Sequence, residues 1–100
     1  MNILLPLDSN KEDEAKLCKL NEASAWVMLS VKDGEVQKTV FKNSENSFED
    51  FAHILVVGSH DEDVSRFTDN QIEVLVAPTQ KYIEDILEAY LFRELHDFNY

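Results

Sequence analysis

Residues Ala25-Trp26-Val27-Met28-Leu29-Ser30-Val31-Lys32-Asp33-Gly34-Glu35-Val36-Gln37-Lys38-Thr39-Val40-Phe41-Lys42 decide the fold. Ala25–Val31 is a run of apolar and β-branched residues and reads as a strong strand. Asp33-Gly34 supplies the left-handed backbone that a tight hairpin needs. Glu35–Lys42 returns as an alternating strand. Val36, Lys38, Val40 and Lys42 are expected on one face, with Gln37, Thr39 and Phe41 on the other. The lysines mark it as half-exposed or as an edge, because Lys discourages pairing with another chain.

Working outward towards the N-terminus, Asn2–Leu7 is an apolar run that suits a buried central strand. Ser9-Asn10-Lys11-Glu12 has the spacing of a capping box, and Asp13–Lys19 after it reads as loop or short helix. Towards the C-terminus, Ser47-Phe48-Glu49-Asp50 reads as a cap and a short helical turn, with Phe48, Phe51 and Ala52 facing inward. His53–Gly58 is a second buried strand. Ser59 or Asp61 then caps a helix running to Thr68, with Val64 and Phe67 inward. Ile72–Val76 is the last strand. Thr79 caps the longest helix, whose stripe is Ile83, Ile86, Leu87, Tyr90, Leu91 and Leu95. The tail from His96 is expected to fray.

Two buried strands, each followed by a helix, imply parallel pairing through right-handed crossovers. The hairpin adds an antiparallel pair to the same sheet. The economical result is α/β: a mixed five-stranded sheet flanked by helices, in one domain over residues 1–100.

Composition narrows the function classes. The formal charge is −11, from 20 acidic and 9 basic residues. Such a chain repels a phosphate backbone and an anionic membrane, so neither nucleic acid nor a membrane is expected as partner. No apolar stretch approaches the ~20 residues that span a bilayer. The start lacks a basic n-region, and Cys18 is the single cysteine, so the expected location is cytoplasmic. No phosphate loop, Gly-x-Ser-x-Gly elbow, Cys-x-x-Cys or His-Glu-x-x-His occurs, and no catalytic residue is assigned.

In order along the chain these segments resemble the dinitrogenase iron–molybdenum cofactor biosynthesis family. Ile3-Leu4-Leu5-Pro6-Leu7-Asp8 is similar to that family's first strand and its Pro-x-Asp ending. Ala25–Val31 with Asp33-Gly34 is similar to the second strand and its hairpin, and Ile54–Gly58 to the strand that ends in glycine. Ile72-Glu73-Val74 and the acidic helix from Tyr82 to Leu91 are similar to the closing elements. The resemblance implies a ribonuclease-H-like fold with strand order 3-2-1-4-5 and strand 2 antiparallel. It also implies a non-enzymatic carrier of an iron–sulfur or iron–molybdenum type cofactor in metallocofactor assembly, with a metallocofactor or metalloprotein as partner. The sequence departs from the family where a His-Phe-Gly segment precedes strand 2. Lys19-Leu20-Asn21 stands there, so metal ligation does not carry over to that position.

In open α/β sheets, ligands favour the carboxyl ends of adjacent strands where the order switches direction. Under the implied order this point lies between strands 1 and 4. The residues expected there are Asp8, Lys19, Ser59 and His60 for cofactor binding, and Cys18 and His60 as metal donors. Each also has a plain structural role open to it. Asp8 satisfies nearby amides. Asp61, Glu62 and Asp63 complement a helix macrodipole. Cys18 packs as a small apolar side chain. The alternative to a carrier is a protein-interaction module whose Glu84, Asp85 and Glu88 face a basic partner.

Overall fold

A computed structural model describes residues 1–99. The hairpin forms β2 (Ala25–Lys32) and β3 (Glu35–Lys42), joined at Asp33 and Gly34, both at positive φ (55° and 79°). That pair of left-handed residues matches the twist of the flanking strands. Their ladder shifts register between Ser30 and Val31. The shift turns Val36 to the side of Phe41, into the core layer that also holds Leu29, and not to the side of Lys38. Alternation alone gives the wrong face for Val36 because a bulge inserts one extra residue.

The remaining strands are β1 (Asn2–Leu7), β4 (Ile54–Val57), β5 (Glu73–Val76) and β6 (His96–Asp97). The open sheet runs β3-β2-β1-β4-β5-β6. β1 is antiparallel to β2 and parallel to β4, β4 is parallel to β5, and β6 is antiparallel to β5. The sheet therefore has six strands where five were expected. The sixth comes from the tail expected to fray. Val76 pairs with His96 and Leu75 with Asp97, and the Phe98 amide donates to the Val74 carbonyl. Arg93, at φ 59°, ends the preceding helix in the left-handed region and redirects the chain towards that edge.

Two apolar layers sandwich the sheet. One contains Ile3, Leu5, Leu7, Val27, Leu29 and Val56, covered by α2 (Ile83–Leu91) through Ile83 and Ile86. The other contains Leu4, Trp26, Met28, Leu55 and Val57, covered by α1 (Ser65–Thr68) through Phe67. β1 and β4 are buried on both faces, which is why their sequences read as continuous apolar runs.

Several local expectations are corrected. Of the two readings open for Asp13–Lys19, the loop holds and the helix does not. The segment folds as a turn at Lys11–Glu14 followed by an extended stretch. Ser44, not Ser47, caps a single 3-10 turn at Glu45–Ser47, its hydroxyl accepting from the Asn46 amide. Phe51 is 88% exposed, because the segment before β4 is an irregular, bent stretch with no helical turn to bring that side chain inward. α1 starts at Ser65, later than Asp61, and lasts one turn. α2 starts at Ile83 after Tyr82, not near Thr79. The chain before it is held extended by a main-chain bridge from Lys16 to Tyr82, so helical dihedrals begin only beyond that bridge. Among the described residues no helix is long and apolar enough to cross a membrane.

Candidate functional site

The sheet switches direction between β1 and β4, and the local sequence decides what happens there. β1 and β4 pair only at Ile3 with Ile54 and Leu4 with Leu55. The next main-chain group on that edge belongs to Pro6, which has no N–H to donate. The ladder ends at that point, and the chain's own Lys16–Cys18 segment takes over. The Cys18 amide donates to the Pro6 carbonyl at 3.1 Å, and the Asp8 amide to the Lys16 carbonyl at 3.0 Å. On its other edge the same segment donates from Leu17 to the Lys81 carbonyl at 2.7 Å. Leu17 packs into the α2-side core. Its Cδ2 lies 3.7 Å from where a Cβ on Gly58 would stand. The crevice at the switch point is thus filled by three residues of main chain and one leucine.

Beside this plug a cleft of about 540 Å³ remains. One lip is Lys19, Leu20 and Asn21. The other is Ser59, Asp61, Glu62, Asp63 and Arg66. Glu62 ties the lips together, its carboxylate accepting from the Leu20 amide at 2.9 Å. Asp63 accepts from the amide and hydroxyl of Ser65, which holds its carboxyl below the usual range. Arg66 forms a two-pronged ion pair with Glu45, its Nη2 at 2.8 Å from Oε1.

The expected site residues separate into three groups. Lys19 and Ser59 line the cleft. Asp8 and Cys18 belong to the plug. The Asp8 carboxylate accepts from the Lys16 amide at 2.9 Å. Cys18 is half-buried and unpaired. Burial, then the negative charges of Asp8, Glu22 and Glu62, push its thiol up to about 11. A thiol is a poor metal ligand and nucleophile compared with a thiolate, so this environment works against both roles at neutral pH. His60 stands alone: its Nδ1 is 2.9 Å from the Phe98 carbonyl oxygen, and its ring stacks against Phe98 at 5.8 Å. A carbonyl oxygen can only accept, so Nδ1 is the donor in this contact. His53 is tied locally, its Nδ1 accepting from the Asn2 amide. Asp8, Cys18 and His60 therefore share no cleft lining with Lys19 and Ser59. Among the described residues no three His, Cys, Asp or Glu side chains converge to hold a metal ion.

Three side chains that shape this region carried no motif. Leu17 is the plug, Glu62 is the clasp, and Phe98 holds His60. The one usable signal for Leu17 was Pro6, whose missing donor leaves the edge of β1 to be satisfied by something other than β4.

The fold and this closed switch point define an open mixed α/β sheet protein with few helices. No family model and no curated protein matches the chain. Among solved structures it is similar to PH0822, at 15% identity over 97% of this chain and 96% of that one, with a TM-score of 0.76. It is also similar to MJ0327 of Methanocaldococcus jannaschii, provisionally called a dinitrogenase, at 15% identity over 97% and 95% of the two chains and a TM-score of 0.68. At this identity the likeness establishes a shared fold and a distant structural relationship.

Proposed function

We propose that this chain is a non-enzymatic binding protein that acts through its surface as an interaction module. The observation that carries this reading is the Lys16–Cys18 insertion, which occupies the position where open α/β sheets usually seat a ligand. The charge of −11 supports a protein partner over nucleic acid or an anionic membrane. A single unpaired Cys18 supports a reducing, cytoplasmic setting. Strand order and the likeness to MJ0327 support a ribonuclease-H-like reading of the fold and descent from the dinitrogenase cofactor family.

The donor set does not fit an iron–sulfur cluster built on this chain, which typically takes four thiolates. Protein purified without oxygen, challenged with an iron–sulfur or iron–molybdenum cluster and read by metal analysis and visible absorbance, is expected to take up no stoichiometric metal. Stoichiometric uptake abolished by Cys18→Ala or Asp8→Asn would overturn the reading.

A second reading keeps the carrier role for a preassembled anionic cofactor that brings most of its own ligands. The free Nε2 of His60 and the cleft-lining Lys19 support it. Its signature is uptake lost in His60→Gln, weakened in Lys19→Ala, and unaffected in Cys18→Ala.

A further inference from the structure

We propose that the groove between α2 and the β2–β3 hairpin docks a basic, amphipathic segment of a partner protein, with its apolar side chains on the groove floor and its Lys or Arg on the rim. The inference rests on the interaction-module reading and names its surface. The groove has a volume of about 630 Å³. Its floor is Leu29, Val36, Ile83 and Leu87, with Tyr82 as a wall. α2 is only nine residues long and covers the sheet unevenly. Leu29 is buried, whereas Val36, Phe41 and Leu87 are only half-covered and Thr39 is exposed. This apolar surface lies beside the first half of the helix, from Tyr82 to Leu87.

Four carboxylates rim the floor: Glu12, Asp13, Glu84 and Asp85. Among the described residues none of the four is in an ion pair. Glu84 and Asp85 have a local reason to be there, since acids in the first turn complement the helix dipole. Glu12 and Asp13 have none of that kind. They come from the loop after β1, and bringing them to the same rim adds like-charge repulsion. Lys16 lies 5.7 Å from the centre of the Tyr82 ring, so one face of this wall already accepts a cation. The complementary occupant is apolar with flanking positive charge. A second copy of this chain is opposed by its own −11, as are nucleic acid and anionic lipid.

The test uses the full chain, isotope-labelled for amide mapping, with a synthetic peptide of alternating Lys and Leu. Control peptides replace Leu by Ser or Lys by Glu. Binding of the Lys/Leu peptide alone is expected, weakening as salt rises, with shifts at Val36, Thr39, Tyr82 and Leu87. Glu12→Gln with Asp13→Gln, which leaves α2 untouched, is expected to weaken binding roughly threefold to tenfold. The unfolding midpoint of that variant should not fall. Thr39→Arg at the exposed floor edge is expected to abolish binding. Equal binding of the Glu/Leu peptide, or no binding of any probe, overturns the proposal. Shifts confined to another face overturn this groove while leaving the interaction module standing. Stoichiometric cluster uptake through Cys18 or Asp8 instead overturns the reading on which both rest.

Discussion

The crevice at the ends of β1 and β4 and the groove beside α2 start from similar chemistry and end differently. Both border a buried strand, β1 or β2, and both are reached by the loop after β1. In the crevice the exposed groups are main-chain donors and acceptors, left over where Pro6 interrupts the ladder. Unpaired buried peptide groups are costly, so the chain's own Lys16–Cys18 is drawn in to satisfy them. In the groove the apolar groups left uncovered are the half-buried Val36 and Leu87 and the exposed Tyr82. Apolar surface exerts no directional demand and tolerates water at a modest cost per area. Closure followed hydrogen-bond need, and openness followed its absence. A position that commonly hosts ligands in this class of fold is therefore not available merely because the fold is present.

The sharpest way to break the contrast is to remove the plug. Leu17→Pro eliminates the amide bond to Lys81 and the leucine packing together, and is expected to cost about 3 kcal/mol in urea unfolding. A loss under about 1 kcal/mol would mean that the crevice does not depend on this segment. Next is the clasp. Glu62→Ala leaves the Leu20 amide without its acceptor and is expected to cost about 1 kcal/mol, with lost hydrogen-exchange protection at Leu20. Full protection in the variant would assign that amide another partner.

Cys18 reports on the same closure with a smaller effect. Its thiol sits at about 11 against an ordinary 9.0. The folded chain holds this proton more tightly than the unfolded chain, so the contribution is fully present below pH 9.0. It is lost as pH rises through about 11. Stability should decline across that window, and Cys18→Ala should remove this part of the decline. Alkylation by iodoacetamide should be slow near neutral pH and accelerate in the same window. Rapid labelling near pH 7 would place the thiol in an open, electropositive setting and contradict the plug. The smallest effect is expected at Phe51, whose ring is turned outward. Phe51→Ser should change stability by no more than about 0.5 kcal/mol. A larger loss would restore the inward placement that its spacing from Phe48 suggested.

Much of the sheet was readable because its signals are local or periodic. Asp33-Gly34 names its own turn, and the apolar runs at Asn2–Leu7 and Ile54–Val57 name strands buried on both faces. The start of α2 was misread because Thr79 satisfies a capping rule, while the constraint that delays the helix is a bridge from Lys16, far away in sequence. Val36 was assigned to the wrong face because a bulge at Ser30 leaves no mark on alternation. For the site, Lys19 and Ser59 were legible as neighbours from strand order. The partners of Asp8, His60 and Cys18 were not, since each is an amide, a carbonyl or a buried surface supplied by a segment without a motif.

Taken alone, the amino-acid order determined the first five strands, where the hairpin turns, and that the chain carries excess negative charge. Those properties depend on neighbours along the chain or on simple sums. Only the tertiary structure decided that the tail joins the sheet as β6, that Leu17 fills the switch point, and that an acid-rimmed apolar groove stays open beside α2. The physical reason is that hydrogen-bond satisfaction and burial are settled between segments tens of residues apart, where no local pattern records the outcome.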